Sequence, residues 1–278
     1  MPARTDPRPI GVFDSGVGGL TVLSELRRRL PAESTLYLGD NARAPYGPRP
    51  ADEVRRFTLE SIAWLLDRDV KLLVLACNTA TAQALDAVRE QAFATGVPVL
   101  GVVRPGAVSA AATTRSGKVG VIATAGTVAS GAYPRAILEA DARTDVVQQA
   151  CPLLVPLVEA GSFDGAEVDD VLHGYLDPLL ADPSLDTLLL GCTHYPLLRP
   201  VIERIAGEGV SVVDSAFTTA LAVEDLLDAV GARSGAAASG ENRIVTTGDV
   251  AAFTTVAERI FGTSLPNVES TAVVPVLP

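Results

Sequence analysis

Two stretches, LLVLACNT at residues 72–79 and LLLGCTH at residues 188–194, decide how this chain reads. Each is a short apolar run that ends in a cysteine and continues at once into polar hydrogen-bonding side chains. Apolar runs of this length, bounded by polar residues, read as buried strands. In an open parallel α/β sheet the ligand crevice lies outside the carboxyl ends of the strands. Cys77 and Cys192 are thereby expected at two such ends, facing one ligand from opposite sides. Two thiols so placed suit the inversion of a carbon stereocentre by proton transfer.

The surrounding sequence supports that setting. Apolar runs at 10–13, 34–38, 97–103, 118–123, 145–149, 211–213 and 243–247 read as further strands. Amphipathic stretches at 19–30, 50–68, 80–93, 106–114, 127–139, 169–180, 196–205 and 217–230 read as helices. Strands alternating with helices predict an α/β fold with mostly parallel sheets flanked by helices. A second echo joins the cysteine pair: GVFDSGVGG at 11–19 has the strand, polar turn and helix shape of VGVIATAGT at 119–127. Two motifs recurring in one order predict two related α/β domains. The first comprises residues 1–101 with 213–278, the second residues 102–212, and the site lies at their interface. The Ala/Ser/Gly-rich stretch at 235–240 reads as a loop.

Composition narrows the function. The chain has 278 residues, 48% of them hydrophobic, enough for a substantial core. No apolar run approaches the ~20 residues of a membrane span, and residues 1–9 lack the apolar segment of a secretory signal. Three cysteines do not make a disulfide framework. A cytoplasmic protein with reduced thiols and no membrane partner is expected. The net charge of −11 argues against nucleic acid as a partner. Backbone N–H groups at helix N-termini still allow a small anionic ligand. The only lysines are Lys71 and Lys118, one at the start of a buried strand and one after a Ser-Gly turn. Neither suits the Schiff base of pyridoxal phosphate. No CxxC or HxxxH spacing supports a metal site. No GxSxG elbow is present, and the glycines at 16–19 match neither nucleotide fingerprint.

Among individual residues, Cys77 is followed by Asn78, Thr79 and Thr81, and a helix N-terminus there is expected to favour its thiolate. Cys192 has Thr193 and His194 in the same places, and His194 is placed to help set the thiol's protonation. Cys151 precedes Pro152 without such neighbours and reads as structural. Asp14 and Ser15 stand at a strand-to-helix turn. They read either as a helix cap or, for Asp14, as an aid to proton transfer at Cys77. His173, inside a helical pattern, reads as a satisfied imidazole. Glu159, before Ala-Gly, reads as a solvated helix end.

Taken together, FDSGVGGL at 13–20, GD at 39–40 with PYG at 45–47, ACNTA at 76–80, CP at 151–152 with Glu159, GCTHYP at 191–196, DS at 214–215 and TGD at 247–249 resemble the glutamate racemases. These belong to the cofactor-independent aspartate/glutamate racemase superfamily. The resemblance runs from Ile10 to about Gly262. It implies two pseudo-symmetric α/β domains and a reaction interconverting L- and D-glutamate for peptidoglycan, with no cofactor and no metal. Cys77 and Cys192 would be its acid/base thiols, Asp14 assisting the first and His194 and Glu159 the second. Substrate contacts would come from Asp14, Ser15, Tyr46, Gly47, Asn78, Thr79, Thr124, Thr193 and His194. A homodimer is expected. With nine residues ahead of its first strand, the chain is expected to need no peptidoglycan-precursor activator. The competing readings are a racemase of aspartate or another acidic amino acid, and a non-catalytic binding or regulatory protein on the same scaffold.

Overall fold

The computed structural model describes residues 5–236, 238–262, 265 and 267–273. The expected loop over 235–240 therefore includes one residue, Ala237, outside the described residues. So do parts of the expected first domain: residues 1–4, 263, 264, 266 and 274–278.

β1 (Ile10–Asp14) is buried along its whole length and pairs in parallel with β2 (Thr35–Gly39) and β3 (Leu72–Leu75). A strand buried on both faces carries continuous rather than alternating apolar residues, which is why IGVFD shows no polar alternation. β4 (Val99–Gly101) extends the sheet beyond β3, and β9 (Asn242–Thr246) and β10 (Val268–Ser270) extend it beyond β2. The resulting order is β10-β9-β2-β1-β3-β4, parallel throughout. The second sheet contains β5 (Lys118–Ala123), β6 (Asp145–Ala150), β7 (Thr187–Gly191) and β8 (Ser211–Asp214), in the parallel order β6-β5-β7-β8. In both sheets four strands follow one plan: the opening strand is flanked by the second and third, and the fourth lies beyond the third. The echo between residues 11–19 and 119–127 is thus an echo of the two opening strands.

The helices are α1 (Leu20–Arg29), α2 (Ala51–Leu66), α3 (Asn78–Phe93), α4 (Val103–Thr113), α5 (Ala125–Ser130), α6 (Ala132–Ala140), α7 (Leu154–Ala160), α8 (Ala166–Leu180), α9 (Arg199–Ala206), α10 (Ser215–Val230) and α11 (Val250–Phe261). The helix expected over 127–139 is broken at Gly131, whose φ of +63° caps α5 in the left-handed region and restarts the chain as α6. That expected over 196–205 opens as a 3₁₀ turn, Tyr195–Leu198, before α9. α7, α11 and β10 have no counterpart among the expected elements. In α7 the proline at 156 sits in the first turn, where a missing N–H is tolerated.

α10 packs on α1 and α4. One continuous core joins Leu23 and Leu26 of α1 and Val223 of α10 to Leu172 and Leu176 of α8 and Leu190 of β7. Each such side chain stabilises the fold by about 1.5–3 kcal/mol, so the two sheets share an interior. Among the described residues no helix is long and apolar enough to cross a membrane.

Candidate active site

The carboxyl ends of β1, β3, β5 and β7 open on one cavity of about 310 Å³. Eleven of the twelve residues expected at a site line it: Ser15, Tyr46, Gly47, Cys77, Asn78, Thr79, Thr124, Glu159, Cys192, Thr193 and His194. The twelfth, Asp14, lies beneath the wall and is 1% exposed.

Cys77 is the N-cap of α3, and its Sγ accepts from the Ala80 N–H at 3.4 Å. The Ser15 Oγ lies 3.4 Å from the same sulfur. A helix N-terminus therefore does meet this thiol and favours its thiolate as expected, but burial outweighs that pull. Burial pushes the Cys77 pKa up to about 12, and the nearby Asp14 and Cys192 push the same way. The pull from Ser15 and the Ala80 N–H does not offset that. At neutral pH Cys77 rests as the thiol, the form of a general acid. Burial likewise raises the Asp14 pKa. Its Oδ1 accepts from the Gly16 N–H at 2.9 Å, while its Oδ2 is buried without a hydrogen-bond partner.

The opposite wall is built differently. His194 Nδ1 lies 3.9 Å from Cys192 Sγ, and its Nε2 lies 3.1 Å from Glu159 Oε1. Burial alone would depress the His194 pKa. The hydrogen bonds to Cys192 and Glu159 outweigh it and bring the value to about 10. Glu159, at the end of α7, is thus the helix-end residue expected but also a partner of the imidazole, as the resemblance implied. The turn before α1 fits tightly against this pair. A Cβ at Gly18 would stand 2.4 Å from Thr193 Oγ1 and 2.5 Å from His194 Cε1. Thr21 Oγ1 donates to the Thr193 carbonyl at 3.1 Å.

Hydroxyls and amides fill the space between. Thr79 and Thr124 Oγ1 atoms lie 2.9 Å apart, with Thr127 buried behind them at 3.3 and 3.0 Å. The loop carrying Tyr46 and Gly47 is held at both ends. Tyr46 donates from its hydroxyl to Asp40 Oδ2 at 2.5 Å, and the Gly126 N–H of α5 donates to the Gly47 carbonyl at 3.0 Å.

Several participants are given no place at the site by the sequence. Cys151 lines the cavity although its sequence context reads as structural; its Sγ lies 3.6 Å from the Gln149 carbonyl, and burial raises its pKa to about 12. Tyr133 and Ser215, both buried, bond to Asn78. A tyrosine in an apolar helical stretch gives no sign of such a role, whereas Ser215 belongs to a motif whose purpose the sequence leaves open. His173 is half exposed and pairs with Asp177 at 2.9 Å, a satisfied imidazole as expected. Lys71 is buried and bonds Glu33 at 2.5 Å at the end of β3 away from the cavity. Among the described residues no group of three or more His, Cys, Asp or Glu side chains is arranged to hold a metal ion.

Residues 10–224 match the family model described as Asp/Glu/Hydantoin racemase. The glutamate racemase of Beutenbergia cavernae is 49% identical over 269 residues, 94% of this chain and 91% of that one. The crystal structure of glutamate racemase from Thermus thermophilus, in complex with beta-chloro-D-alanine, is 45% identical with a TM-score of 0.86, covering 96% and 98% of the two chains. That from Francisella tularensis, in complex with D-glutamate, is 33% identical with a TM-score of 0.88 over 96% and 98%.

Proposed function

Because this chain belongs to the Asp/Glu/Hydantoin racemase family, we propose that its cavity racemises glutamate by proton transfer between two thiols, Cys77 and Cys192. The observation that carries this reading is that both thiols stand at the ends of corresponding strands, β3 and β7, and line one cavity. The Cα–H of an amino acid is a very weak acid, so one face must lose its proton while the other gains one. Cys77 rests as a thiol and is the donor when Cys192 takes the first proton. The return reaction exchanges the roles. His194, held by Glu159, stabilises charge at Cys192, and Asp14 beneath Ser15 serves Cys77. Ser15, Tyr46, Gly47, Asn78, Thr79, Thr124, Thr193 and His194 surround the amino acid and bind its carboxylates and ammonium group. Hydrogen-bond donors fixed in a closed cavity stabilise charge as it develops on the substrate. The chemistry needs neither metal nor cofactor.

The division into residues 1–101 with 213–278 and residues 102–212 is part of the same proposal; sheet membership supports it except at Val213 and Asp214, which pair with β7 and belong to β8 of the second sheet. So are a cytoplasmic location, a homodimer and a D-glutamate product consumed in peptidoglycan synthesis, which the family resemblance supports. The net charge of −11 argues against nucleic acid as a partner.

The test is loss of optical rotation from L-glutamate, with L-aspartate in parallel and no cofactor added. Racemisation of glutamate alone is expected. Activity on aspartate alone would overturn the substrate, and activity on neither in a folded, reduced sample would overturn the reaction.

A further inference from the structure

Asn78 is 2% exposed and lines the cavity, yet its amide is satisfied on one side only. Nδ2 donates to the Tyr133 hydroxyl at 2.7 Å and to Ser215 Oγ at 3.3 Å. Oδ1 is buried and has no partner in the protein. A buried carbonyl left in that state is costly unless a ligand supplies a donor. Asn78 opens α3 at the end of the first sheet, whereas Tyr133 on α6 and Ser215 at the start of α10 come from the side of the second. The Tyr133 ring is itself fixed against β7, since a Cβ at Gly191, the residue before Cys192, would stand 2.8 Å from Tyr133 Cε2.

The NH₂ group of Asn78 is turned toward the two hydroxyls and donates to both. Oδ1, on the other side of the amide, is the atom left for a ligand.

Of the charged groups on an amino diacid, the two carboxylates accept hydrogen bonds and only the ammonium group donates. We propose that Tyr133 and Ser215 are positioning residues that hold Asn78 with Oδ1 presented to the α-ammonium group of the bound amino acid. They thereby contribute to selecting an amino diacid over a plain diacid. This rests on the reading of the cavity as a glutamate site.

The experiment measures kcat and KM for both glutamate enantiomers, and the inhibition constant of glutarate, which carries the two carboxylates without the ammonium. Racemisation of glutamate by the wild-type enzyme is the first arm, and its absence would defeat the glutamate reading itself. Given that activity, Y133F and S215A are each expected to raise KM about tenfold, the effect of weakening one hydrogen bond to a charged group. kcat should hold within about threefold, and glutarate inhibition should stay within about twofold of wild type, because neither depends on an ammonium contact. S215A removes a single hydroxyl and keeps the test open where Y133F fails to fold. Equal weakening of glutamate and glutarate would place Nδ2 on a carboxylate, or mark a general collapse of the site, and would overturn the inference. Unchanged KM, or a fall in kcat alone, would overturn it as well.

Discussion

Glu159 and His194 meet at 3.1 Å across the mouth of the cavity, and this contact helps hold the imidazole charged against the cost of its burial. In Glu159→Gln the imidazole keeps Cys192 but loses its carboxylate. His194 should then give up its proton at lower pH, and the alkaline limb of the kcat profile should move to lower pH. The same group governs stability. Its folded-state pKa of about 10 lies above the ordinary 6.5, so its contribution is complete below about 6.5 and is lost as the pH rises through about 10. Urea unfolding at a series of pH values should show wild type losing stability over that window and Glu159→Gln losing less. An unmoved alkaline limb in the variant would separate Glu159 from the chemistry.

The two thiols should be individually indispensable. Cys77→Ala and Cys192→Ala should each lower kcat by roughly 10²–10⁴-fold or more, the scale of a positioned proton-transfer group. The double variant should be little worse than either single one, because groups acting as a unit are not additive. Circular dichroism should show all three folded. Wild-type turnover in both single variants would end the two-thiol mechanism.

Much of this arrangement is legible in the sequence, and the exceptions share a physical cause. A cysteine ending an apolar run marks a strand's carboxyl end by local pattern alone, so the positions of Cys77 and Cys192 follow from the sequence itself. The recurring strand and turn at 11–19 and 119–127 point in the same way to the common plan of the two sheets. Depth is not legible. The helix N-terminus beside Cys77 acts with the expected sign, but burial outweighs it, and no local pattern reports how far a thiol lies from water. Contacts across the two sheets are equally hidden. Tyr133 and Ser215 reach Asn78 over 55 and 137 residues of chain, and Glu159 acquires its role only when α7 brings it to His194. α11 is a different case. Its buried positions Phe253, Ala257 and Ile260, and an Asp249 cap accepting from the Ala252 N–H at 2.7 Å, follow ordinary helical spacing. That helix is within reach of the periodicity argument.

Tyr46 tests whether the loop over the cavity is held from behind. Its hydroxyl donates to Asp40, a fully buried carboxylate that also accepts from Arg43 Nε at 2.7 Å and Thr247 Oγ1 at 2.7 Å. Tyr46→Phe removes one hydrogen bond to a charged group, worth about 1.5–3 kcal/mol. Arg43 and Thr247 remain to hold Asp40, so the protein should fold with a lower urea midpoint. Freed at one end, the loop should raise KM for glutamate more than it lowers kcat. Unchanged stability together with unchanged KM would show that the bond to Asp40 does not position Gly47.

Lys71 offers the complementary test, a buried charge far from the chemistry. Its Nζ bonds Glu33 Oε2 at 2.5 Å, the Asp6 carbonyl at 2.7 Å and the Ala232 carbonyl at 2.8 Å, so all three ammonium protons are used. It precedes β3, whereas Cys77 follows that strand at the opposite end. Lys71→Met would leave Glu33 buried with only the Ser234 N–H at 2.9 Å on its other oxygen. Breaking a buried pair from one side costs about 3–5 kcal/mol. Urea unfolding should register that loss in full, while kcat per folded molecule stays at the wild-type value. A folded Lys71→Met protein without activity would instead make this lysine part of the reaction, and the two-thiol reading would have to give way to one that uses its amine.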